Sequence, residues 1–143
     1  MSYTTDTEIH RVVEDFENCQ TGKDEFHHEQ HIVVAVCYLC AAPTEVATER
    51  MRSSLFRFLE HHNVDNRKYN ETLTVFWLEM VALELKKQSA GASLVEKCNS
   101  VISALSNPKL AADFYSEQVL GSDEARKIFV PPDLKAIRDR KAG

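Results

Sequence analysis

Three of the six histidines, His27, His28 and His31, fall in the stretch FHHEQHIVVAVCYL, Phe26 to Leu39. His27 and His31 are four residues apart and His28 and His31 three apart, so either pair shares one face of a helix. At that spacing two imidazoles can converge on one ion or one proton. A second polar group, Tyr69, Asn70, Glu71, Thr72 and Thr74, opens the apolar stretch ETLTVFWLEMVALELKK. If the two stretches are helices that pack side by side in the same direction, His28, His31 and Glu71 come within reach of one another. Two imidazoles and a carboxylate form the ligand set of many zinc and non-haem iron sites. The pair His27 and His31 serves the same geometry. In the catalytic version, His28 and His31 hold a divalent metal, zinc or iron, or shuttle a proton; Glu71 is a ligand or general base, and Tyr69 a hydrogen-bond donor. Asn70 and Thr74 complete the candidate ligand-binding set. His28-Glu29-Gln30-His31 is not the metalloprotease H-E-x-x-H, because its second histidine comes one residue early. Against these readings, first-turn histidines also serve as surface residues or caps, and the helix dipole favours a first-turn Glu71 with no ligand present.

Other chemistries find less support. Cys37 and Cys40 form a C-x-x-C inside an apolar helical run, with no second pair and no exposed helix N-terminus to lower a thiol pKa, so they read as buried, inert side chains. His61 and His62 read as cations at a helix C-terminus. Ser122 has no histidine and acid arranged around it. Trp77 and Phe76 read as core. The formal net charge of -5 and the lack of a long basic run disfavour nucleic acid and anionic membrane surfaces. The longest apolar run, Ile32 to Ala42, is about half of what a bilayer span needs. With no basic-then-apolar leader at the N-terminus, the expectation is a soluble, cytoplasmic protein.

The elements that must position these groups are helical. Four glycines and four prolines leave little turn chemistry for many short strands, and 143 residues at 43% hydrophobic content suit one domain. The expected fold is an all-α, single-domain bundle over 1–143, with about five main helices, short C-terminal helices, and residues 1–6 and 135–143 loose. A first helix, capped by Thr5 or Thr7, carries Ile9, Val12, Val13, Phe16 and Cys19 and stops near Gly22. The second runs from Asp24 or Glu25 to Ala42 and is apolar on most of its circumference after His31, which makes it the central element. The third runs from an N-cap at Thr44 to His62, with Val46, Met51, Leu55, Phe58 and Leu59 inward and Glu49, Arg50, Arg52 and Arg57 on its wetter side. NVDNRKYN connects it to the fourth, and the third helix supplies an up-and-down return, so parallel packing of the second and fourth is the simpler topology. A fifth helix holds Leu94, Cys98, Val101, Ile102 and Leu105. Asn107 caps a short sixth with Pro108 at its first position, and Ser122 caps a seventh that Pro131 and Pro132 end.

F-x-H-x-x-H at Phe26, His28 and His31, the run Lys68-Tyr69-Asn70-Glu71-Thr72-Leu73-Thr74 and the segment FYSEQVLGSDEARKIFVPPDL together resemble a family of small bacterial proteins of unknown function. Members typically carry F-x-H-x-x-H-L, then K-Y-H-E-T-x-T, then a segment like Y-Y-S-x-x-x-L-x-S-x-x-A-R-x-x-F-V-x-P-D-L. The likeness extends from about Phe26 to Leu134. It implies no reaction, but it selects His28 and His31 over His27 and pairs them with Glu71. It also implies that Ser122, Arg126 and Asp133 close over the pocket, Arg126 pairing with Glu71 or with a ligand's carboxylate. Where the family has histidine, this chain has Asn70, a poor transition-metal ligand and no base near neutral pH. Two functions follow as expectations: a small-molecule enzyme using a divalent metal or His/Glu acid-base chemistry, or a non-catalytic ligand-binding or interaction protein. The latter is pictured as a homodimer packing through the fifth or sixth helix.

Overall fold

A computed structural model describes residues 3–137, and among these the chain is an all-α bundle with no strand. Five main helices, α1 (Asp6–Glu17), α2 (His28–Ala41), α3 (Thr44–His61), α4 (Glu71–Lys86) and α5 (Leu94–Ala104), are followed by two short ones, α6 (Glu117–Leu120) and α7 (Asp123–Lys127). Two 3-10 turns, Asn66–Lys68 and Leu110–Asp113, lie between them. None of these helices is long and apolar enough to cross a membrane.

α2 is the centre, as its nearly unbroken apolar run requires. It packs against α1, α3, α4 and α5 at once, and Ile32, Val33, Val34, Ala35, Val36 and Tyr38 are buried. Each such branched side chain taken from water contributes about 1.5–3 kcal/mol. The hydroxyl of Tyr38 is the polar exception. It donates to Glu17 Oε2 at 2.5 Å and lies 3.0 Å from Ser54 Oγ, while Arg50 covers its ring at 4.3 Å and bonds the same Glu17. Burial pushes its pKa up to about 12. α4 is the second hub, touching α2, α3, α5 and α7. Its far side seats a smaller apolar cluster of Phe76, Ala111, Phe114 and Tyr115 that fastens the C-terminal segment.

Several boundaries differ from the sequence expectation for local reasons. α1 is capped by Thr5, whose hydroxyl accepts from Glu8 N while Glu8 reaches back, but it ends at Glu17, and Cys19 then takes a left-handed φ of 57°. α2 begins at His28 rather than Asp24 or Glu25. The residues before it stay out of the helix because Phe26 is drawn into the core, stacked on Phe16 at 4.1 Å and tilted against Phe58 at 5.5 Å. α3 is capped by Pro43, so Thr44 is its first residue. Asn107 does not start a helix; its side chain accepts from Lys109 N in a turn that leads to the 3-10 segment. Ser116 and Ser122 each cap a short helix, the second as expected and the first unforeseen. Of the two loose ends expected, Tyr3 is clasped to Asn99 by two hydrogen bonds of 2.8 Å, and Asp6 is already helical. Residues 135–137 belong to no element, and the other terminal residues of that expectation lie outside the described ones. Cys40 is exposed rather than buried, since α2 emerges from the core there; Cys37 is partly buried and Cys98 wholly so.

Candidate functional site

The N-terminal halves of α2 and α4 meet, as parallel packing demands, and α3 closes the space between them. The result is a cavity of about 320 Å³, to which α2 gives His28, His31, Ile32 and Ala35. α4 gives Leu73, Thr74, Trp77 and Leu78, and α3 gives Met51, Leu55 and Phe58. Lys68, Tyr69 and Asn70 border it from the connector, and Phe26 plugs one corner. The wall is mainly hydrocarbon and aromatic.

Its two imidazoles are held differently. His28 Nε2 lies 2.7 Å from the carbonyl oxygen of Leu105, at the end of α5, so that nitrogen must carry the donated proton. Nδ1 makes no hydrogen bond to the described residues, and the ring meets that of Trp77 edge-to-face at 4.7 Å. The His31 ring packs on Phe26 at 4.5 Å and makes no hydrogen bond to the described residues. No fully enclosed polar side-chain atom among them is left without a partner, so the ring nitrogens of His31 keep an outlet into the cavity. Burial, aided by repulsion from His28, pushes its pKa down to about 4, so His31 is neutral near pH 7. His27 is exposed and stays out of the cavity, serving as the N-cap position of α2 with its backbone N–H donated to Gln30 at 2.9 Å.

Glu71 is the main departure. It is buried, but it does not line the His28/His31 cavity. Arg52, on α3, grips it with two bonds, Nε to Oε1 at 2.8 Å and Nη2 to Oε2 at 2.5 Å, and Tyr69 donates its hydroxyl to Oε1 at 2.5 Å. Burial alone would raise the Glu71 pKa, but Arg52 and Tyr69 outweigh it and hold the carboxyl below its ordinary value. A carboxylate so stabilised in its charged form is a poor general base. Among the described residues no three His, Cys, Asp or Glu side chains are placed to hold a metal ion, so the expected zinc or iron set of His28, His31 and Glu71 is not assembled.

The remaining expected residues are structural at close range. Asn70 caps α4 by accepting from Leu73 N at 3.0 Å and donates to the Leu120 carbonyl at 2.9 Å. Thr74 donates back to the Asn70 carbonyl. Arg126 pairs with Asp123 on its own helix and not with Glu71. Ser122 caps α7, and Asp133 accepts from Ser116 N. His61 is exposed, while His62 donates from Nε2 to the Thr21 carbonyl at 2.9 Å and packs on Phe58, tying loops together. α5 carries none of the large exposed hydrophobic residues among those described.

Two participants escaped the sequence reading. Arg52 was assigned to the wet side of α3, although it neighbours Met51 on the inward stripe; Trp77 was assigned to plain core, although its position one helical turn from Leu73 and Thr74 puts it on the cavity wall. Tyr69 lines the cavity and also a second, shallower cleft on the other side of the Arg52–Glu71 pair. Fold and site together define an all-α bundle with an apolar, imidazole-bearing internal pocket. No family model, curated protein or solved structure matches the chain.

Proposed function

We propose that this protein binds a small, mostly apolar molecule in the His28/His31 pocket without transforming it. The observation that carries the reading is an apolar cavity of about 320 Å³ containing a neutral, unpartnered His31. That volume is at the lower end of small-molecule pockets, which hold their ligands by hydrophobic walls and a few polar groups that set orientation. Here those groups are the nitrogens of His31, Nδ1 of His28 and the Thr74 hydroxyl, with Lys68 at the mouth. Glu71, the expected general base, is paired with Arg52 and does not line this cavity. The three motifs lie close together in the fold: the first lines the pocket, the second opens α4, and the third is tied to the head of α4 through Asn70 and Thr72.

Trp77, the single tryptophan, stands in the pocket wall and makes occupancy measurable. The uncharged fluorophore N-phenyl-1-naphthylamine should bind at one saturable site and draw excitation energy from Trp77. Ala35→Leu, which projects a larger side chain into the same space, should weaken binding by about tenfold or more while leaving the helical circular dichroism intact. Unsaturable uptake, or equal affinity in the two proteins, refutes the pocket as a binding site.

A further inference from the structure

The second cleft has a chemistry unlike the first. It measures about 590 Å³ and lies between the second half of α3, the 3-10 turn before α4 and the chain leaving α7. Four of its ten lining residues are cations, Arg52, Arg67, Arg126 and Lys127, and Glu71 is the one acid. In a chain of net charge -5 this is a local reversal of sign. The same cleft collects three of the five large hydrophobic residues that are exposed among those described: Phe56 (39%), Ile128 (56%) and Phe129 (37%). Phe56 and Tyr69 lie 4.4 Å apart with their ring planes tilted by 35°, which gives the cleft an aromatic pair.

The cations differ in how firmly they are engaged. Glu71 fixes Arg52 through Nε and Nη2, and its Nη1 has no hydrogen bond to the described residues. Arg67 and Arg126 pair with Asp65 and Asp123, which lie outside the lining and offset two charges. Asp123 is 80% exposed and Asp65 48%, and pairs open to solvent in this way contribute little, while Arg126 is mostly covered and also donates from Nη1 to the Arg67 carbonyl. Lys127 makes no ion pair with the described residues. Guanidinium groups bind carboxylate and phosphate oxygens in pairs, and they also lie flat on aromatic rings.

We infer that this cleft binds a small aryl oxyanion, a carboxylate or phosphate monoester, with its ring against Phe56, Tyr69 and Phe129 and its charge among Arg126, Lys127 and Nη1 of Arg52. The size of the cleft suits a small molecule rather than an extended macromolecular surface. It is separate from the His28/His31 pocket, so either assignment can fail alone.

The probe is phenyl phosphate, titrated into isotope-labelled full-length protein and followed by amide chemical shifts, with inorganic phosphate and phenol as the two half-ligands. Saturable shifts are expected at Phe56, Arg67, Arg126 and Phe129, with phenyl phosphate binding about tenfold or more tightly than either half-ligand. Arg126→Gln combined with Lys127→Gln should weaken it by about tenfold, and Arg11→Gln with Lys23→Gln, cations outside the cleft lining, should leave it unchanged. If the double variant proves unstable, Lys127→Gln alone removes an exposed charge and should still weaken binding by about threefold. Equal affinity for phenyl phosphate and inorganic phosphate, shifts that map elsewhere, or indifference to Lys127 overturns the assignment.

Discussion

His31 offers the sharpest test, because its burial has a thermodynamic price readable from outside. Its pKa lies at about 4 in the folded protein against 6.5 when exposed. Each pKa unit is worth about 1.36 kcal/mol, so the displacement corresponds to about 3 kcal/mol. The sign is fixed by linkage: between pH 6.5 and 4 the unfolded chain binds the proton and the folded chain does not, so acid favours unfolding. The stabilisation is fully present above the unfolded value and lost progressively as pH falls toward the folded one. His31→Met removes the titration while retaining bulk, and its difference from the parent isolates His31 from the carboxylates that titrate in the same range. Urea unfolding of both proteins across pH 7 to 4 should show the parent losing about 3 kcal/mol more than the variant over that interval. Parallel stability curves would mean that His31 is charged or well solvated, and the account of an imidazole held neutral by its surroundings would be wrong. A native proton taken up near pH 6.5 would do the same.

The other predictions concern the groups that surround the pocket. Glu71→Gln keeps an acceptor for Tyr69 but removes the charge that Arg52 holds; because Arg52 is partly exposed, the cost should be about 1–3 kcal/mol in urea unfolding, with N-phenyl-1-naphthylamine affinity unchanged. A large loss of probe affinity at unchanged stability would return Glu71 to the pocket. Asn70→Ala should destabilise by about 1–2 kcal/mol, since it deletes both the cap of α4 and the tie to Leu120, whereas Asn70→Ser should restore the cap and about half of that loss. Thermal melts compare the three proteins, and identical midpoints would discount the cap.

The sequence made the helical class, the five main helices and the central place of α2 legible because these rest on long apolar periodicities, in which no single residue is decisive. The meeting of the α2 and α4 heads was likewise legible, from helix count and short connections. What escaped depended on one step of rotation. Asn70 borders the pocket, and Glu71 is about 100° further round α4, enough to turn it from α2 toward α3. Its partner Arg52 could not be chosen among the cations of α3 without knowing which way α3 faces. The start of α2 was missed because charged residues followed by an apolar run look like a helix entry, whereas Phe26 gains more by leaving the helix and stacking on Phe16. After α5 the elements are too short for periodicity, so only local signals remained: Ser122 marked a true cap, Asn107 and Pro108 marked a turn rather than a helix start, and the Ser116 cap was not recognised.

One hydroxyl makes two of the ties that attach the last third of the chain. Thr72 donates to the Ile128 carbonyl and accepts from Val130 N, contacts that close loops of 56 and 58 residues in sequence separation. Both bonds are lost together if the side chain turns, while the Tyr115 hydroxyl, donating to the Val130 carbonyl, adds a third tie to the same segment. Phe129, which lines the shallow cleft, sits between the two backbone groups that Thr72 holds, so this hydroxyl sets the position of that wall although Thr72 lines neither pocket.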